Sequence, residues 1–479
     1  MNTIVSPVQA EPAPQAASRL ANFRLIPRIE TYPAVVSFAQ TIAGKAVLLV
    51  LFGAGLAYTI RTLKDWLVLT LCLALITFLP ARRRLLVTIS TLIFTFIVPW
   101  KAYQNPVYVF SLIAGVLALG ALLFWFATLW PRSWYGRRPI FFLLCGFAAL
   151  IVVAAYTPRG TSFSRVLWDL TQILSAYIWF ICYSLLDRNA PGRDPVALQL
   201  GTYRPFWGST HTPFPKGAAY LRRIEARDAQ QFAVIQLKGL KLLAWAILIT
   251  LFGDVFNKCV YVYLHIPTFS QALNLSANRT PLPWYICWGS LFAGFFGGII
   301  SLSAFGHQVI AGCRMAGFNA LRNTYRPFSS RTVAEFFNRY YFYFKELLVD
   351  VFFYPFFLKY FKKHHKLRLV GAIFAAACFG NAFYHFGRDL TFVQQLGLGG
   401  ALAGYRVYIF YCILLAAAIS VSQLRHRKPA PDGFIRGQLW PSFLVVLFFC
   451  LLDVFGSTER NYPLVEHFRF LGHLFNLNF

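Results

Sequence analysis

The sequence predicts an all-α polytopic membrane protein, and three observations lead to this class. The chain of 479 residues is 58% hydrophobic and 18% aromatic, and only 13% of its residues are charged. A soluble globular chain is roughly 45–50% apolar and about 25% charged. Long apolar runs recur along the sequence, and short basic clusters separate several of them. Both features are typical of a helical bundle in lipid.

The apolar runs predict about 11 transmembrane helices, since each crossing of the bilayer needs about 20 residues. We place these spans near 44–60, 65–80, 85–100, 107–130, 139–156, 163–186, 240–264, 283–306, 369–386, 403–423 and 437–455. Residues 320–361 are too polar for an ordinary span and are expected to add one or two re-entrant or interfacial helices.

Changes in composition divide the chain into five predicted parts. They are an N-terminal tail (1–40), N-terminal transmembrane helices (41–186), a polar loop with an interfacial helix (187–239), a core region (240–455) and a C-terminal tail (456–479). The first 30 residues are rich in Pro and Ala and lack an uninterrupted apolar segment. We therefore interpret them as a tail and not as a cleaved signal peptide.

The net charge of +28 arises from basic residues in the predicted loops of a membrane protein, so it does not indicate nucleic-acid binding. Basic residues form short clusters between apolar runs, such as 81–85 and 131–138. Cytoplasmic loops carry such an excess of Lys and Arg and contact anionic lipid headgroups. Alternation along the spans then predicts that the N-terminus, the 187–239 loop and the 362–368 basic run are cytoplasmic.

The nine cysteines all lie in or beside apolar runs, and none forms a CxxC pair. Buried thiols commonly act as small hydrophobic side chains. The spacing therefore favours neither a disulfide framework nor a metal site.

The stretch from 331 to 361 begins with the sequence RTVAEFFNRYYFYFKELL. Thr332 followed by Glu335 fits a capping box at a helix start. Aromatic and apolar side chains then recur at helical spacing, which predicts an amphipathic helix at the interface or in a cavity: Phe337, Tyr340, Tyr341, Phe344 and Leu348. Asp350 directly precedes a strongly apolar run, so we expect it to be paired or to line a polar cavity.

The span predicted at 369–386 carries the second candidate element, AAACFGNAFYHFG. Its Gly and Ala residues allow close packing of helices in lipid. Asn381 and His385 are four residues apart and share a helix face, which predicts a polar pocket. Ionisable groups at membrane depth are costly and tend to be functional, so His385 is the leading candidate for a functional residue.

These two stretches resemble the membrane-bound O-acyltransferase (MBOAT) superfamily, in particular its bacterial branch of alginate acetyltransferases and D-alanyl-teichoic acid transferases. SSRTVAEFFNRYY at 329–341 is similar to the family's Ser-rich lead into Phe-Trp-X-Arg-Trp-His. Asp350 stands at the Asp of the family's Arg-Asp pair, with Val349 in place of the Arg. The sequence at 384–387, Tyr-His-Phe-Gly, is similar to the family's Trp-His-Gly element with one residue inserted.

A further stretch at 236–258 is similar to the family's Gly-Leu-Lys helix, so the resemblance covers roughly residues 200–455. It implies an MBOAT-like catalytic core at 240–455 in a bacterial inner membrane. The implied reaction moves an acyl group from a thioester to a hydroxyl of a polysaccharide, lipid or other envelope molecule. The thioester, acyl-CoA or an acyl carrier, is a co-substrate, and no tightly bound cofactor is expected. Membrane lipids and an accessory envelope protein are the other expected partners.

The resemblance also assigns roles to individual residues. His385 is the expected general base, because an imidazole titrates near neutral pH. Asn381, Tyr341, Asn338 and Asp350 are the candidates for binding substrate or stabilising the oxyanion.

The chain departs from the family at Tyr341, where relatives have His or Asn. A phenol with a pKa of about 10 cannot replace an imidazole as base near neutral pH. Asn338, one turn away, is an alternative source of an amide. The departures at Tyr341 and Val349 leave open a catalytically silent MBOAT relative. The same polar cavity also leaves open a transporter of a lipid-linked or carbohydrate substrate.

Overall fold

The computed structural model describes residues 25–60, 63–102, 105–192, 194–208, 212–425, 433–456 and 462–477. These residues form helices and loops, and the only β-pairing among them is an isolated bridge between Glu225 and Phe318. The predicted all-α polytopic membrane class is therefore confirmed. Most of the predicted N-terminal tail, up to residue 24, lies outside the described residues.

The helices of the N-terminal half, in chain order, are α1 (Pro33–Gln40), α2 (Ile42–Thr59), α3 (Leu63–Phe78), α4 (Arg83–Ala102), α5 (Pro106–Leu129), α6 (Trp134–Arg137), α7 (Pro139–Tyr156), α8 (Ser162–Asp187), α9 (Val196–Gln199) and α10 (Ala218–Ile224). The C-terminal half contains α11 (Ala229–Tyr263), α12 (Phe269–Ala277), α13 (Trp284–Met315), α14 (Val333–Tyr340), α15 (Phe342–Leu348), α16 (Tyr354–Lys359), α17 (His365–Ile373), α18 (Asn381–Arg388), α19 (Leu390–Leu424), α20 (Ile435–Gly456) and α21 (Leu464–Leu474). π-helical turns join α15 to α16 and α17 to α18.

Nine helices of the described part are long and apolar enough to cross a membrane: α2, α5, α7, α8, α11, α13, the continuous α17–α18, α19 and α20. The predicted number of 11 is not confirmed. The runs predicted at 65–80 and 85–100 form one pair, Asp65–Phe78 and Pro80–Phe96, bent by 107°. Pro80 supplies the break because proline cannot continue a helix. Counting that pair as one span gives ten.

The bend between α3 and α4 is tied to the chain that follows α8. Arg84 pairs through Nη1 with the Asp194 carboxylate at 2.7 Å and through Nη2 with the Glu225 carboxylate at 2.7 Å. Arg83 is only 5% exposed, and its guanidinium carbon lies 4.8 Å from the centre of the Phe232 ring. These contacts hold the bend at the same end of the bundle as the region after α8.

Other hydrogen bonds gather basic loops at this end as well. Arg188 donates through Nη2 to the carbonyl of Gly136 at 3.1 Å, and the Ala226 amide donates to the carbonyl of Gly317 at 3.0 Å. The C-terminal helix α21 lies at the opposite end, where the Trp288 indole donates to the carbonyl of Leu474 at 2.8 Å. The basic clusters at 81–85 and 131–138 and the 187–239 loop therefore share one end of the fold.

The middle of the predicted 187–239 loop is buried in the bundle. We call residues 199–215 the inserted segment; the structure describes it at 199–208 and 212–215. Tyr203 is 1% exposed and Phe214 is 0% exposed. The Phe214 ring meets the Tyr343 ring edge-on at 5.3 Å. A segment rich in Gly, Pro and Thr is thus part of the core, because its aromatic side chains pack between the helices.

Residues 342–388 form a helical hairpin whose arms are α15–α16 and α17–α18. The rings of Phe344 and Tyr384 are 4.6 Å apart, and Phe352 packs on the backbone of Gly380. The amphipathic helix predicted across 333–348 is interrupted, since Tyr341 has φ −138° and ψ 73° between α14 and α15. Thr332 caps α14 by accepting from the Glu335 amide at 3.1 Å, as the sequence predicts.

The close packing of the hairpin at Gly380 predicts that adding a side chain there destabilises the protein. A Cβ at this position would lie 2.5 Å from the Phe352 ring. Overpacking of a well-packed core costs about 1–3 kcal/mol, so Gly380→Ala is expected to lower the unfolding temperature in detergent micelles. Gly146→Ala is the control, because a Cβ there meets nothing within 4 Å. Equal unfolding temperatures for the two variants would contradict this packing.

Candidate functional site

His385 lies in α18, half-buried among aromatic rings from both arms of the hairpin and from α19. Its ring centre is 5.7 Å from that of Phe344, 5.1 Å from that of Tyr384 and 4.8 Å from that of Tyr408. These rings restrict the orientation of the imidazole and cover part of it from solvent. The histidine that the sequence singles out thus sits in an aromatic pocket.

Asn381 joins His385 on the same face, as the spacing of four residues predicts. Its side chain is 2% exposed, and its Oδ1 accepts a hydrogen bond from the Tyr408 hydroxyl at 3.2 Å. Tyr408 therefore contacts both residues, through its hydroxyl and through its ring. The amide and the imidazole are brought together as a polar pair within a largely apolar wall.

Tyr341 reaches the same region through a chain of hydroxyl groups. Its hydroxyl is 2.9 Å from Oγ1 of Thr212, which is 2.7 Å from the hydroxyl of Tyr384. Thr212 belongs to the inserted segment and is 0% exposed. Thr212 was not predictable from the sequence, because nothing in a Thr-rich loop signals that one hydroxyl will be buried between two tyrosines.

Asp350 lies six residues beyond Phe344 along the hairpin and is held in an ion-pair network. Its carboxylate is 2.8 Å from Nζ of Lys216 and accepts from the Tyr183 hydroxyl at 3.0 Å. Lys216 also lies 2.5 Å from the Glu346 carboxylate. The expectation that Asp350 is paired is confirmed. The structure therefore places Asp350 in this network and not with the Asn381–His385 pair.

The charge of Lys216 is maintained despite its burial. Desolvation by itself lowers the pKa of a buried ammonium group. The neighbouring carboxylates of Asp350 and Glu346 outweigh it and raise the pKa of Lys216 above its ordinary value. The network therefore holds a protonated lysine between two acids.

Asn338 lies half-buried in α14, two residues after Phe336. The neighbouring Phe336 is 0% exposed and stacks on Phe449 of α20 at 4.1 Å between ring centres. None of the hydrogen bonds in the described part of the chain joins Asn338 to His385, Asn381 or Tyr341. By their side-chain contacts, Asn381 and Tyr341 belong to the region around His385 and Asp350 belongs to the ion-pair network, whereas Asn338 joins neither group through a hydrogen bond of the described residues.

A small cavity adjoins α18. It lies between the end of α18 and the N-terminal part of α19, and its volume is about 10 Å³. Such a volume has room for about one water molecule. Its lining residues are Phe386, Asp389, Phe392, Val393, Leu396, Ala401, Gly404 and Tyr405. Across the described residues, no group of three His, Cys, Asp or Glu side chains could hold a metal ion.

The hydroxyl chain predicts a large effect of changing Thr212 to valine. The replacement keeps the shape but leaves the hydroxyls of the buried Tyr384 and the half-buried Tyr341 without their shared partner. Loss of such a partner costs about 1–3 kcal/mol. Thr212→Ser is the control because it retains the hydroxyl. We expect a lower unfolding temperature for Thr212→Val than for Thr212→Ser. The reverse order would argue against a bridging role.

The sequence has no match among protein-family profiles, and no curated protein matches it.

Proposed function

We propose that the protein is a membrane O-acyltransferase with an MBOAT-like core, active in a bacterial inner membrane. It moves an acyl group from a thioester, acyl-CoA or an acyl carrier, to a hydroxyl of a polysaccharide, lipid or other envelope molecule. The observation that supports this proposal is the pairing of His385 with Asn381 in an aromatic pocket, both in contact with Tyr408. His385 is the proposed catalytic base.

In the proposed reaction the acceptor hydroxyl attacks the thioester directly, and His385 carries the proton from the hydroxyl to the leaving thiolate. The imidazole of His385 takes the proton of the acceptor hydroxyl while the hydroxyl oxygen attacks the thioester carbonyl. The C–S bond then breaks, and the imidazolium returns the proton to the leaving thiolate. Asn381 is the proposed oxyanion donor through Nδ2, since its Oδ1 already accepts from Tyr408. The aromatic wall limits water and so disfavours hydrolysis of the thioester.

The proposed orientation has the N-terminus in the cytoplasm. Supporting it are the basic clusters, which share one end of the bundle with the bend between α3 and α4. Cytoplasmic loops are enriched in Lys and Arg. A cytoplasmic thioester would then approach from the end that carries the inserted segment, and the tail after α20 would lie on the opposite side.

The test uses the purified full chain in liposomes with acyl-CoA or an acyl-carrier thioester and an extract of envelope glycans and lipids. Thiol release is followed with a chromogenic reagent, and acylated products are identified by mass. The proposal expects thiol release that depends on the acceptor extract and a product heavier by one acyl group. Movement of a substrate across the liposome without thiol release would instead identify a transporter.

One observation favours a second candidate, a catalytically silent MBOAT relative. The Tyr341 hydroxyl is bridged to Thr212, and the His385 ring is flanked by Phe344, Tyr384 and Tyr408. Side chains engaged with one another in this way leave little open surface for a substrate. If the protein is such a silent relative, no thiol is released with either thioester, whichever acceptor fraction is added.

A further inference from the structure

Arg204 is an exposed cation within the buried inserted segment. Its neighbours Tyr203 and Phe206 are 1% and 2% exposed. Its backbone has φ 66°, in the left-handed region that few residues other than glycine adopt. The fold thus accepts a strained backbone at the position where it presents this side chain outward.

A contact of Arg204 with α8 and a contact of Phe206 with α4 place this part of the inserted segment about midway along these two helices. The guanidinium carbon lies 5.9 Å from the centre of the Tyr177 ring. Tyr177 is ten residues before Asp187, the end of α8. At 1.5 Å per residue, that is about 15 Å along the helix. The adjoining Phe206 ring packs near Phe94, in the middle of α4, with ring centres 6.5 Å apart.

Among the described residues, other cations near the inserted segment are paired with carboxylates, but Arg204 is not. Lys216 pairs with Asp350 and Glu346, and Arg84 pairs with Asp194 and Glu225. Within the described part of the chain, Arg204 contacts the Tyr177 ring but no carboxylate. An arginine at the level of apolar helices is costly unless an anion or water reaches it.

We propose that Arg204 binds the phosphate of a membrane lipid that enters beside α4, α5 and α8. A guanidinium group binds phosphate through two parallel hydrogen bonds and also stacks on aromatic rings, so the Tyr177 ring would support it. Tyr203 anchors the adjoining backbone against Gly120 of α5. The phosphate supplies the missing counter-charge, and the acyl chains lie along the apolar helix surfaces.

This lipid site is distinct from the pocket around His385. Ser175 of α8 donates to the carbonyl of Gly387, the residue two positions after His385, at 2.7 Å. Ser175 and Tyr177 are two residues apart and so project from nearly opposite faces of a helix with 3.6 residues per turn. The site therefore does not depend on the proposed acyl transfer.

The test measures thermal unfolding of the purified full chain in mixed micelles titrated with phosphatidic acid, diacylglycerol of the same chains, or inorganic phosphate. Arg204→Asn removes the cation, and Asn tolerates the left-handed backbone. Arg223→Asn is the matched control, because Arg223 is also exposed and its guanidinium carbon lies 5.5 Å from the Tyr220 ring centre. Arg204→Lys keeps a charge that binds phosphate without the paired hydrogen bonds.

We expect phosphatidic acid to stabilise the wild type and Arg223→Asn alike, with at least a tenfold higher half-saturating lipid fraction for Arg204→Asn. Arg204→Lys should fall between them. Equal titrations of Arg204→Asn and wild type, or equal stabilisation by diacylglycerol, would overturn the proposal. Full stabilisation by inorganic phosphate alone would overturn the lipid source. If Arg204→Asn fails to fold, Arg204→Lys and the diacylglycerol comparison still decide whether Arg204 binds the lipid phosphate.

Discussion

Replacing His385 with glutamine is expected to lower the rate of acyl transfer by about 10²–10⁴-fold, the usual contribution of a general base. Glutamine keeps a polar side chain of similar reach but cannot accept a proton near neutral pH. The effect should fall on kcat, because the base acts in the transition state and contributes little to binding the thioester. Thiol release and product mass, measured over a range of donor concentrations, separate kcat from KM.

The matched control is His365→Gln in α17, at the other end of the same continuous span. His365 is exposed, and its ring centre lies 6.5 Å from that of Phe357, away from the aromatic pocket. This variant should retain the wild-type rate. Full activity of folded His385→Gln protein would remove His385 from the mechanism, and equal loss in both variants would point to damage to the helix.

Asn381 and His385 show how far the sequence alone reaches. Both lie on one helix, so their spacing of four residues was sufficient to predict a shared face. The all-α membrane class was predictable for a similar reason, since hydropathy over about 20 residues is a local property. The span count differs from the prediction, because the chain bends at Pro80 and forms one bent pair where two separate crossings were predicted.

Thr212 and Lys216 show where the sequence stops being informative. Both belong to a stretch that is polar and rich in Gly and Pro, which is typical of a surface loop. The stretch is buried because aromatic residues such as Phe214 pack against helices more than 90 positions away along the chain. The Phe214 ring, for example, contacts the Tyr343 ring. No local pattern encodes such contacts. The hydroxyl chain and the Lys216 network therefore required the structure.

The Lys216 network provides the second large expected effect, this time on stability. Side chains of Lys216, Glu346 and Asp350 are 15%, 12% and 21% exposed, so the charges are largely buried. Removing one partner of a buried ion pair typically costs about 3–5 kcal/mol, because the other charge stays buried and uncompensated. Lys216→Met keeps the length of the apolar stem and removes only the ammonium group. It should therefore unfold at a clearly lower temperature than the wild type.

Asp350 should account for most of the loss in Lys216→Met. Glu346 keeps Lys345 as a second cation, whereas the described contacts of Asp350 leave it only the Tyr183 hydroxyl. Asp350→Asn removes the stranded charge, so the double variant Lys216→Met/Asp350→Asn should be more stable than Lys216→Met alone. Unfolding temperatures of the two single variants and the double variant in the same micelles measure this coupling. Strictly additive losses would show that the two groups do not stabilise each other. A positive coupling would show that this ion pair holds the chain directly after the inserted segment against the hairpin that carries His385.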